Sequence, residues 1–243
     1  MPEFSPPKPA PPGWRVAAVT MLRLIFFRAS PEELVSLHGR HLALGLLCTW
    51  LVGMGRYWDN PRVGMLQHLG VGSVVYIFVL SLFLWLIIWP LRPQNWTYFK
   101  VLTFISMVSP PAVLYAIPVE KFVSLDTANG INAWFLALVA TWRVALLIFY
   151  LRRAGDLERF PTFVATFFPL TIIVVALTML NLDKAVFDMM GGGGNRSSND
   201  SAYAVLLFLS LLSVLLFIPF VICYLWILFD RFTSAKYHVK EDE

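Results

Sequence analysis

Arg143 sits near the middle of AWFLALVATWRVALLIFYLRR, residues 133–153, an otherwise apolar stretch. A guanidinium near the centre of a bilayer costs about 2.5–3.5 kcal/mol on insertion scales. Such a group pairs with something, faces a bundle interior, or marks the path of an ion or substrate. A carboxylate would be the simplest partner, but none of the 15 acidic residues lies within an apolar run. Broken backbone is the next source of acceptors. In FISMVSPPAVLYAIP, Pro110 and Pro111 have no amide hydrogen, so they free the carbonyls of Ser106 and Met107. In lipid those carbonyls need other donors. Ser106 lies 12 residues before Pro118, and Arg143 lies 12 residues after Ile131. At about 1.5 Å per residue the two share a depth if Pro118 and Ile131 mark the same membrane face. The side chain of Arg143 leans toward the N-terminus of its helix, which brings it toward Ser109. The expected contact is therefore Arg143 with Ser106 and Ser109. Two alternatives stand beside it: Arg143 and Trp142 snorkel at an interface, or Arg143 serves transport or a partner subunit.

Other chemistries have weaker carriers. His38 and His41 share a helix face at a spacing that can hold a metal, but no further ligand is near in sequence, so no metal site is expected. The glycine run at 191–194 is followed by no Lys-Ser/Thr and preceded by no strand, unlike a phosphate loop. There is no nucleophile elbow, no zinc-protease motif and no pair of intramembrane aspartates, so neither catalytic residues nor a cofactor are expected. Cys48 and Cys223 fall in apolar runs and read as small packed hydrophobes. Pro169 and Pro219 are expected to kink their helices, freeing the carbonyls of Ala165 and Leu215.

The elements that must position these residues follow from composition. The chain is 58% hydrophobic and 14% charged, far from the balance of a soluble domain. Apolar runs near 20 residues recur, which predicts an all-α polytopic transmembrane helical bundle. Six spans are expected, at about 41–57, 69–91, 96–118, 131–151, 161–181 and 202–229. Five is the alternative if the short first span only dips into the membrane. Residues 1–13 form a disordered Pro-rich tail, and no cleavable signal peptide is expected. Residues 14–29 form a basic, apolar interfacial segment, whose arginines snorkel, or else a helix packed under the domain. Ser30-Pro31-Glu32-Glu33 starts a helix through a capping box, opening a membrane domain over 30–231. A charged tail occupies 232–243. With the N-terminus inside, 13 lysines and arginines fall on the inner side and five on the outer, Arg143 aside. Both termini are therefore expected in the cytoplasm, most simply at a bacterial inner membrane, with a eukaryotic endomembrane as the alternative. The sequons at Asn195 and Asn199 then face outward, and the one at Asn95 faces inward. The net charge of +4 is spread around the spans, which points to lipid headgroups and not to nucleic acid.

The lead-in LRLIFFRASPEEL, the proline-broken YFKVLTFISMVSPPAVLYAIP, and NAWFLALVATWRVALLIFYL followed by TFVATFFPLTII span residues 22–181. In order and pattern they resemble the Yip family of Ypt/Rab-interacting membrane proteins. That resemblance implies a non-enzymatic protein with a cytosolic N-terminus. Where that family usually has glycine–tyrosine–serine before the third-span proline, this sequence has Met107-Val108-Ser109. The function expected is a scaffold, accessory subunit or membrane-organising factor working with the bilayer and other membrane proteins. A small-solute transporter or channel, for an anion, is the alternative that would use Arg143 and the kinked spans.

Overall fold

The computed structural model describes residues 13–58, 64–180, 182 and 201–241. The first 12 residues, the glycine run with its two sequons, and residues 242–243 lie outside the described residues. Every regular element among the described residues is helical. In chain order these are α1 Trp14–Ile25, α2 Pro31–Val35, α3 Gly39–Gly55, α4 Met65–His68, α5 Val71–Ile88, α6 Tyr98–Met107, α7 Leu125–Arg153, α8 Arg159–Met179 and α9 Ser201–Glu241. Three 3-10 segments, Trp89–Leu91, Pro110–Ala116 and Val119–Lys121, extend or link them.

Among the described residues, four helical stretches are long and apolar enough to cross a membrane: Val71–Leu91, Gly130–Arg153, Arg159–Met179 and Leu207–Arg231. The pair Tyr98–Met107 and Pro110–Lys121, bent by 44°, makes a fifth if it counts as one span. The stretch expected at 41–57 is α3, whose 17 residues reach about 25 Å against a hydrocarbon core of about 30 Å. Among the described residues the protein is thus all-helical, with four or five helices suited to cross a membrane.

Local sequence explains the joints. Ser30 accepts from the Glu33 amide at 3.2 Å, and Glu33 accepts from the Ser30 amide at 2.9 Å, as a capping box requires. The helix it opens is only five residues long and does not run on into α3. A second start intervenes, where the His38 amide donates to His41 Nδ1 at 3.1 Å. His41 thus caps the start of α3 by accepting through Nδ1.

The centre of the bundle is a seam. His41, Gly45, Thr49 and Gly53 recur every four residues and form the buried face of α3. A Cβ built at Gly45 would lie 2.9 Å from the Met107 backbone nitrogen, and one at Gly53 would lie 2.6 Å from Ser73 Oγ. Small residues at this spacing let helix backbones approach closely. α3 is thereby pressed against α6 on one side and α5 on the other. Gly70, at φ 66°, turns the chain into α5, where a Cβ would lie 2.7 Å from the Trp50 carbonyl.

α1 has two apolar faces. Ala17, Thr20, Met21 and Leu24 pack inward, while Val16, Val19 and Leu22 stay exposed beside Arg15 and Arg23. Arg23 pairs with Glu33 at 2.6 Å. The end of α1 is fastened to α7, because Trp142 Nε1 donates to the Ile25 carbonyl at 2.9 Å. Phe27 follows with a positive φ of 59°, held between Trp142 and Phe149. The segment 14–29 is thus a helix docked on the bundle with one apolar face still open.

Candidate functional site

The break in the third span is where the sequence pointed. α6 is buried from Val101 through Met107, then stops because Pro110 and Pro111 remove two successive donors. The chain continues as a 3-10 segment. The freed carbonyl of Ser106 does find donors. It accepts from the Ser109 amide at 3.3 Å and from Thr49 Oγ1 at 3.4 Å. Thr49 Oγ1 also lies 2.7 Å from Ser109 Oγ and donates to the Gly45 carbonyl at 2.8 Å. Ser106 Oγ donates to the Thr103 carbonyl at 2.8 Å. Ser106, Ser109 and Thr49 are all buried, so this small hydroxyl cluster is sealed inside the seam.

Arg143 is not part of that cluster. Among the described residues it forms no hydrogen bond and no ion pair, and its Nε is buried without an acceptor. The expected contact with Ser106 and Ser109 is replaced by Thr49. The reason is the path of α7, which packs along the 3-10 segment Pro110–Ala116 and along α8. A side chain leaning toward the α7 N-terminus therefore meets that segment beyond the proline turn. Arg143 lies close enough to Tyr115 for its charge to act on the phenol hydroxyl, as does Arg56. The Arg56 guanidinium sits 5.3 Å from the centre of the Tyr115 ring.

The other prolines behave differently from Pro110 and Pro111. α8 runs through Pro169 and α9 through Pro219 without a break in the helix. One missing donor in a long helix leaves the turns on either side intact, whereas two in succession end α6. Pro169 is buried in α8, where Phe168 packs against Tyr224 of α9 at 4.7 Å between ring centres.

Thr49 and its flanking glycines were not singled out from the sequence. The signal was present in the spacing of Gly45, Thr49 and Gly53, a pattern of small residues four apart. Trp142 was also read only as an interfacial neighbour of Arg143, although its indole fixes α1.

A second polar feature lies where the turn after α5 meets α8 and α9. Arg92, Glu158, Phe160, Trp226, Asp230 and Arg231 help to line an open crevice of about 620 Å³ there. None of Arg143, Ser106, Ser109 or Pro110 borders it.

The chain matches no protein-family model, no curated protein and no solved structure.

Proposed function

We propose that the protein is a non-enzymatic integral membrane scaffold or accessory subunit, embedded by six helices if α3 is counted with the five. The observation that carries this reading is the seam at α3. Backbone contact at Gly45 and Gly53, and hydroxyls satisfied by one another around Thr49, make a centre built for packing. A solute path would need polar groups left open to a cavity. The outer surface supports lateral association. Only 11% of the apolar stretch Leu207–Arg231 is buried, and Leu215, Ile218 and Ile222 present a large apolar face. The pattern shared with the Yip family over 22–181 agrees with this class.

In this reading both termini are cytoplasmic, and the membrane is most simply a bacterial inner membrane. α1 lies at the inner interface with Val16, Val19 and Leu22 against lipid. The partners are the bilayer and other membrane proteins, with no nucleic acid. A photoreactive residue placed at Leu215 tests the scaffold role in native membranes. A discrete protein adduct, absent when the probe sits at buried Ile227, is the expected result. Adducts to lipid alone would contradict it.

A second reading, transport of an anion, is favoured by one observation: the buried, unpartnered Nε of Arg143 beside Tyr115. Solute flux in proteoliposomes separates it from the first.

A further inference from the structure

Arg143 is a cation that the bundle leaves without an anion. It lies about 2 Å from the midpoint of the apolar stretch Gly130–Arg153, at about 1.5 Å per residue. Its Nε is buried with no acceptor, and among the described residues its guanidinium enters no hydrogen bond and no ion pair. A charge at that depth is costly unless another group meets it. The freed carbonyl and the hydroxyls at the broken span are taken up around Thr49. No carboxylate of this chain lies at that depth. Its 15 acidic residues fall outside the apolar stretches or, like Asp230, at their ends.

The face of α7 beside Arg143 is built from small residues. A helical side chain leans toward the N-terminus of its helix, so Arg143 lies over the turn of Val139 and Ala140. Val139 is buried and Ala140 is exposed, which puts the arginine at the border between the packed face and the open one. Ala137, Ala140 and Thr141, three and four residues apart, are all exposed and share that open face. Trp134 and Leu138 stand on its other side, 76% and 49% exposed. A strip of alanine and threonine between an aromatic ridge and a cation forms a shallow channel along the helix. Small side chains of this kind let a second helix backbone approach closely. Lipid tails fill such a channel too, but they bring no acceptor for a guanidinium.

We propose that this face of α7 docks a transmembrane helix of another protein, and that this helix carries an aspartate or glutamate at mid-membrane depth to pair with Arg143. Charge selects the partner. A second copy of this chain offers no acid at that depth. A lipid phosphate lies about 15 Å from the middle of a hydrocarbon core about 30 Å thick, beyond the length of an arginine side chain. The inference rests on the lateral association proposed above, and gives it a second face and a chemistry.

The test uses the full chain in phosphatidylcholine vesicles with a fluorescent leucine-rich peptide of about 20 residues, enough to cross the bilayer. The central residue of the peptide is Glu, Gln or Leu, and energy transfer from a dye on the protein reads binding. The Glu helix is expected to bind about tenfold more tightly than the Leu helix, the worth of a hydrogen bond to a charged group, with the Gln helix nearer to Leu. Arg143→Met should bring the Glu helix to the Leu level, and Arg143→Lys should keep part of the preference. Ala137→Leu with Ala140→Leu fills the exposed channel and should weaken binding of the Glu helix with Arg143 still in place. Arg143→Glu should lose the Glu helix and gain a helix with a central Arg. Equal binding of the three helices by the unaltered protein, or an unchanged preference in Arg143→Met, would overturn the proposal. The first comparison needs no variant, so it decides the matter even if a variant fails to fold. Displacement of the Glu helix by acetate added on both sides of the membrane would refute a helix as the occupant in favour of a soluble anion. The photoreactive residue at Leu215 reads association at α9 in native membranes, so the scaffold reading and this one fail separately.

Discussion

Thr49 reaches the broken third span from a neighbouring helix. Its one hydroxyl proton is shared between the Gly45 carbonyl at 2.8 Å and the Ser106 carbonyl at 3.4 Å, while its oxygen can accept from Ser109 Oγ at 2.7 Å. Intramembrane hydrogen bonds are worth about 0.6 kcal/mol on average and up to about 1.7. Thr49→Val should therefore lower unfolding stability in detergent by about 1 kcal/mol, and Thr49→Ser should recover most of it. Arg143 is the opposite case. Its Nε is desolvated without an acceptor, so removing it should cost nothing structurally. Arg143→Met is expected to leave the unfolding midpoint unchanged or to raise it, with the gain bounded by about 2.5–3.5 kcal/mol. A fall of more than about 1 kcal/mol would mean that the arginine has a partner. The charge itself was plain in the sequence. Its surroundings were not, because depth along a helix says nothing about which neighbour stands between two spans at equal depth.

At the level of elements, the break at Pro110-Pro111 could be read from the residues alone, since missing donors are local chemistry. The spans at 69–91 and 161–181 also have clear counterparts, because continuous apolar runs are local too. The role of α3 could not be read this way. Its apolar content suggested a short crossing, and its glycines became informative only when set against Ser73 and Met107 on other helices. Overfilling a packed interface costs about 1–3 kcal/mol. Gly45→Val should separate α3 from α6 and lower stability by that amount or more, read from thermal unfolding. Gly72→Val on α5 is the control, since a Cβ at Gly72 meets nothing within 4 Å. The link between α1 and α7 makes a separate point. Trp142→Phe keeps an aromatic ring beside Phe26 and Phe27 but loses the donor to Ile25. Hydrogen exchange in α1 should rise while α6 stays protected, because α6 is held by the seam and not by Trp142.

At the level of the whole molecule, the proposed orientation rests on the distribution of cations around the spans and not on packing. With Cys48 and Cys223 replaced by alanine, single cysteines at Ser5 and Ser234 should react with an impermeant reagent from the same side. Labelling from opposite sides would remove one crossing and leave α3 as a dipping helix. The central claim is that the bundle is closed at its middle and serves as structure. Proteoliposomes loaded with chloride or phosphate test it most directly. The account predicts release no faster than from protein-free vesicles, with Arg143→Met making no difference. Protein-dependent anion release that is lost in Arg143→Met would contradict it.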